Sequence, residues 1–274
     1  MLKKILKNII GKKNILKFKI LYWSITGNYL TSKPLATKEE YLMRHKEYMQ
    51  KIKNNNFVNN YFQKEEINFV NNLALKTQVT QKKSEINYFH GFIIIKSLKD
   101  FLKNNQEKVT IFETGTARGF SSIIMSFVLE KLRREYVIHT VDLIPHNRKI
   151  LWNSISDIEY GRISRRDLLI DYSLYLKNTN FVCGTSVDTL NKLDINRIHF
   201  AFLDGSHDYE DVKFEFEFVN KKNKSGDIII LDDYTPKIFD GIVKLTNEIK
   251  EKNAYEVNII NNNEKRGYVI LKKK

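Results

Sequence analysis

The sequence predicts a doubly wound α/β fold in which a seven-stranded, mostly parallel sheet follows a helical N-terminal extension. Three observations predict it. From residue 108 onward, short apolar runs alternate with segments of helical apolar spacing. Four of the runs close on an acid: Glu113, Asp142, Asp204 and Asp232. The first run leads directly into a glycine turn, "ETGTARGF" at 113–120, and then into a helical stretch. In open α/β sheets the carboxyl ends of the strands line one crevice, which is where ligands bind.

The elements follow in order. Residues 1–36 are a basic leader with eight lysines and no acid, more than half of the net charge of +14. Leu2, Ile5, Leu6, Ile9 and Ile10 recur at helical spacing among those lysines. The pattern suits an anionic membrane surface, a partner, or an ordinary solvated helix. Lys17 and Lys19 interrupt the apolar stretch 15–22, so neither a secretory core nor a spanning run of about 20 residues is present. A cytoplasmic protein is expected, with peripheral membrane contact through the leader as an alternative. Residues 37–107 read as a helical extension, a lid or dimerisation layer, with helices at 39–52, 61–75 and 85–103. The Asn-rich patches at 54–60 and 261–263 read as loops.

In the segment 108–274 the strands fall at 109–113, 136–142, 180–183, 198–204, 227–232, 256–260 and 268–272. Helices are expected at 121–135, 186–193, 209–222 and 238–252. The last two strands form a hairpin across a short polar stretch. With 42% hydrophobic and 12% aromatic residues the chain is globular. The single Cys183 excludes an internal disulfide and a multi-cysteine zinc site.

At the close of the second strand, Asp142 is placed to accept both hydroxyls of a ribose. That allows a dinucleotide or an adenosyl cofactor. A pyrophosphate fingerprint wants a middle glycine where this chain has Ala117, and Glu113 would repel the phosphates. A cationic, phosphate-free ligand fits better. Asp204, Asp232 and Asp233 come from adjacent strand ends, and three converging anions repel unless a hard cation, Mg2+ or another divalent ion, neutralises them.

In their order, "ETGTARGFSS", "HTVDL", "CGTSVDTL", "FAFLDGSHDYEDV" and "GDIIILDDY" resemble the class I S-adenosylmethionine-dependent methyltransferases, on a Rossmann-like fold. The branch they look like is that of the metal-dependent sugar O-methyltransferases related to macrocin O-methyltransferase. The resemblance covers roughly residues 90–272. It implies that Glu113, Gly115, Thr116, Gly119 and Ser121 surround the methionine part of S-adenosylmethionine. Asp142 would hold the ribose, Thr185 and Ser186 would lie near adenine, and Asp204 would border both cofactor and metal. It also implies metal binding by Asp204, Asp232 and Asp233. In catechol-type relatives a lysine serves as base at the position of His207; here His207 is the expected base, with Asp208 as a second candidate. Arg162, Arg165 and Arg166 would face a substrate phosphate or solvent, and Tyr209 would contact the substrate. His139 and His199 read as structural.

The expected reaction is methyl transfer to a sugar hydroxyl in surface-polysaccharide or secondary-metabolite glycan synthesis, the acceptor being a small molecule or a glycan. An RNA methyltransferase rests on net charge alone, and the concentration of lysine in the leader argues against a nucleic-acid partner. A non-catalytic or NAD-binding Rossmann domain has no use for the three aspartates. A homo-oligomer is compatible with the sequence.

Overall fold

In the computed structural model of the protein, described for residues 12–236, 238–262 and 266–274, the predicted sheet is present with all seven strands. They are β1 (Val109–Thr114), β2 (Tyr136–Asp142), β3 (Thr179–Cys183), β4 (Phe200–Leu203), β5 (Ile228–Tyr234), β6 (Tyr255–Asn262) and β7 (Arg266–Lys273). Their order across the sheet is β3-β2-β1-β4-β5-β7-β6. β1 to β5 run parallel, and β7 lies antiparallel between β5 and β6. The order reverses between β1 and β4, so their carboxyl ends open the crevice.

Alternation along the strands feeds two cores, because successive side chains in a strand point to opposite faces. Ile111, Phe200, Phe202, Ile228, Ile230 and Tyr268 pack on one face with Phe92, Ile93, Phe120 and Ile124. Phe112, Ala201, Leu203, Ile229, Leu231 and Leu271 pack on the other with Val212, Phe216, Ile242 and Leu245. The helices of the N-terminal extension are part of the first core. Its helix His90–Lys103 buries Phe92, Ile94, Ile95 and Leu98 completely, each such side chain contributing about 1.5–3 kcal/mol.

Several predicted boundaries move for local reasons. The helix expected at 39–52 spans Lys38–Lys53, started by a capping box of Thr37 and Glu40. The helix expected at 61–75 runs Lys64–Thr77. The Asn-rich patch before it contains a short helix, Asn56–Tyr61, because the Asn55 side chain accepts from Val58 N and caps it. The helix expected to reach Glu135 ends at Lys131, and Arg133 then turns into the left-handed region at φ 53°. The helix expected at 186–193 is a single turn, Ser186–Thr189, followed by a 3-10 turn. β5 continues two residues past Asp232, which places Asp232 inside the strand and Asp233 at φ 57°. The hairpin is formed, its strands paired from Tyr255 with Lys273 to Asn262 with Arg266.

The leader pattern at Leu2 to Ile10 lies outside the described residues. Lys12–Thr26 is a helix. Among the described residues no helix is long and apolar enough to cross a membrane.

Candidate active site

The β1 loop is built on contact between backbones. Gly115, at φ 85°, lies against the carbonyl of Asp204 so closely that a Cβ would collide with it. This locks the cofactor loop to the end of β4. Beneath it Glu113 is completely buried. Its carboxylate accepts from the hydroxyls of Ser121 and Ser122, and from Thr140 at 2.5 Å. Burial pushes the Glu113 carboxyl above its ordinary range while those three hydroxyls pull it back. The Thr116 hydroxyl pairs with that of Thr140. In this conformation Glu113, Thr116 and Ser121 hold the loop from inside, and none of the three presents its polar atoms to open space. Gly119, at φ 85°, caps the helix Phe120–Lys131.

Asp142 is also engaged. It accepts from the backbone N–H of Ala117 and of Ile144, both at 2.6 Å, and lies 3.6 Å from an Arg165 nitrogen. Burial raises its pKa; Arg165 and the two N–H donors oppose that. The expected arginine cluster is not a cluster, since neighbours on a helical turn point about 100° apart. Arg165 is 1% exposed; it donates to Ala117 O at 2.7 Å and stacks on Trp152 and Phe181. Arg166 faces solvent. Arg162 donates to Thr26 O and Asn28 Oδ1 in the leader. No contact gives the three a common ligand.

The pair expected near adenine is engaged locally as well. Thr185 caps the turn Ser186–Thr189 by accepting from Asp188 N, and Ser186 donates to Glu215. Tyr209 reaches Glu248 and Lys213 rather than the crevice. The Asp208 side chain is exposed at the start of the helix Tyr209–Asn220. His199 accepts from Thr110 N at 3.0 Å and is structural, as expected.

Ligand atoms of Asp204, His207 and Asp233 lie within 4.8 Å of one another at the ends of β4 and β5. Here the three-aspartate set is corrected. Asp232 is 1% exposed and bound by Arg266, with Nη2 to Oδ2 at 2.8 Å. Arg266 also reaches Asp233, from Nε at 2.6 Å. Burial pushes the Asp232 carboxyl up, but the Arg266 guanidinium outweighs that and holds it below the usual range. Asp204 has no ion pair of that kind among the described residues: burial, then Asp232, drive its carboxyl well above the usual carboxylate range, and Arg266 opposes them only in part. A hard cation would relieve that repulsion, and carboxylate oxygens are the ligands that suit one. Asp204 and Asp233 therefore fit a divalent ion, and His207 stands beside them as the third member of the group. His207 Nε2 stands 3.3 Å from Asp233 Oδ2, and its ring packs on Phe239 at 4.2 Å. Gly241 lets the helix Asp240–Lys252 press against the carbonyl of His207, which fixes that loop.

Three site residues escape the sequence reading. Arg266 sits on β7, far along the chain from the acids that it pairs with. Lys82 stands by this corner; burial, then Arg266 and Arg118, lower its pKa, against Asp233 and Asp204. Glu215, 1% exposed, lies under the crevice floor and accepts from Thr114 and Ser186; burial pushes it up to about 7. Acid at a helical core position was the one available signal for Glu215.

The description "Methyltransferase domain" belongs to a family model that matches residues 112–234. No curated protein matches the chain. Among solved structures, the O-methyltransferase NovP is 19% identical over 71% of this chain and 83% of its own, with a TM-score of 0.52. Cofactor-bound Rv0187 from MTB is 14% identical over 77% and 90%, with a TM-score of 0.53. The SAH-bound methyltransferase PaMTH1 from Podospora anserina is 15% identical over 88% and 98%, with a TM-score of 0.53. At such identities the likeness speaks for the fold, and the family match speaks for the domain. The segment that carries the glycine loop, Asp142 and the Asp204, His207 and Asp233 corner matches a methyltransferase domain, and the fold around it is shared with solved methyltransferases.

Proposed function

We propose that the protein transfers the methyl group of S-adenosylmethionine to a sugar hydroxyl, with a hard divalent cation, Mg2+ or similar, at Asp204 and Asp233. The convergence of Asp204, His207 and Asp233 within 4.8 Å, beside the cofactor loop, carries this reading. A cation there would lower the pKa of an acceptor hydroxyl and fix its direction. Asp204 and Asp233 supply its charge; Arg266 keeps Asp232 and Asp233 from repelling each other. The His207 imidazole accepts the hydroxyl proton at Nδ1, its Nε2–H being turned to Asp233, as the oxygen takes the methyl group from sulfur and S-adenosylhomocysteine leaves. Phe239 and Asp233 orient the imidazole for that task. Glu113 and Asp142 keep the cofactor loop and its ribose side in shape.

The sugar acceptor, in surface-polysaccharide or secondary-metabolite glycan synthesis, rests on the motif resemblance to the macrocin branch. The similarity to the O-methyltransferase NovP is in keeping with oxygen as the acceptor atom. A cytoplasmic enzyme, free of nucleic acid and able to form homo-oligomers, belongs to the same reading.

The test is a methyl-transfer screen of the purified protein against nucleotide sugars and glycans, with and without Mg2+. EDTA should abolish turnover, and His207→Ala should lower kcat by about 10²–10⁴-fold with Mg2+ affinity retained. Turnover that survives complete metal removal overturns the cation. A His207→Ala variant that loses Mg2+ affinity together with rate makes the histidine a ligand, and one with full rate passes the proton to Asp208 or water.

A further inference from the structure

The leader helix Lys12–Thr26 carries an apolar stripe that nothing among the described residues covers. Phe18, Leu21, Tyr22 and Ile25 are 66%, 56%, 56% and 72% exposed. Their spacing of three, four and seven residues puts them on one helical face. Leu30 and Leu35 extend the exposed apolar surface just beyond the helix. The other side of the helix is seated: Trp23 packs on Tyr29 at 5.9 Å, and Arg148 donates to Ser24 O at 2.7 Å. Arg162 holds Thr26 and Asn28, and Thr31 bridges to Leu151. The stripe is thus held in a fixed orientation on the body of the protein.

Charge selects the occupant. Residues 12–36 contain five lysines and no acid, and Lys17 and Lys19 are exposed beside the stripe. An apolar face flanked only by cations matches a surface that is apolar within and anionic outside. A second copy of this chain would bring the same lysines against themselves, and a nucleic acid would have no use for four exposed apolar side chains. The helix is too short and too charged to cross a bilayer.

We infer that this helix docks in the headgroup layer of an anionic membrane. Through Arg148, Arg162 and Leu151 the contact holds the segment 148–165, whose Arg165 closes over Asp142, next to the lipid surface.

The test is co-sedimentation of the full chain with vesicles of phosphatidylcholine alone, or mixed with phosphatidylglycerol. Binding should be confined to the mixed vesicles and be lost in high salt. A Phe18→Asp, Ile25→Asp double variant should bind roughly tenfold more weakly, as should Lys17→Glu with Lys19→Glu, while both keep wild-type affinity for S-adenosylhomocysteine. Equal binding to both vesicle types, or none to either, overturns the inference. So does sedimentation velocity showing that the apolar variant dissociates a dimer, or an RNA that binds through the lysines with no effect of the apolar variant.

Discussion

The two corners of the crevice treat their acids differently. At the β1 and β2 ends, Glu113 and Asp142 have every strong demand met from within: three hydroxyls for one, two backbone N–H groups and Arg165 for the other. At the β4 and β5 ends, Arg266 serves Asp232 and Asp233 but leaves Asp204 among like charges. The first corner is a completed structure that fixes the shape of its loop. The second is short of positive charge, and that shortage is what a cation or a reacting proton can use.

The strongest way to break this contrast is to remove the cation that pairs with both Asp232 and Asp233. Arg266→Met strands the buried Asp232 and Asp233 charges, and stability should fall by about 3–5 kcal/mol, read as a lower urea midpoint. Added Mg2+ should recover more of that loss than it adds to the wild type, since it can then stand in for the guanidinium. Equal effects of Mg2+ on both would mean that the ion does not share the charge of this corner.

Glu215 sharpens the comparison as a buried acid of the floor between the corners. Its folded pKa is raised to about 7, so its contribution is fully present below the unfolded value near 4.5 and is lost as pH rises through about 7. Stability of the wild type should therefore drop by about 3 kcal/mol from pH 4.5 to 8 on this account. Glu215→Gln should flatten that part of the profile. Parallel profiles for the two proteins would show that Glu215 stays ionised.

The smallest effect is expected at the completed corner. Asp142→Ala should weaken S-adenosylhomocysteine binding by about 1–3 kcal/mol in calorimetry. Unchanged affinity in a folded variant would mean that the carboxylate serves only Ala117, Ile144 and Arg165.

Much of this was legible in the chain. Continuous apolar runs such as "FAFL" and "IIIL" marked strands buried on both faces, since a strand covered on both sides needs an apolar side chain at every position. The acids at strand ends and the glycine turn pointed to the crevice, and His207 and Asp204 fell within one loop. Local signals failed where a residue's partner is remote. Asp232 and Asp233 look interchangeable in "LDDY", yet one is buried against Arg266 and the other turns toward His207.

By itself, then, the sequence determined the alternation of elements, the faces they bury and the crevice where the acids gather, because periodicity and turn chemistry act between near neighbours. Only the tertiary structure decided which acids are spent and which are available. Arg266 arrives on β7 thirty-four residues after Asp232, and Arg165 closes on Asp142 from the segment between β2 and β3. A carboxylate's charge state is set by burial and by whichever cation stands beside it, and both are properties of the packed chain rather than of its local order.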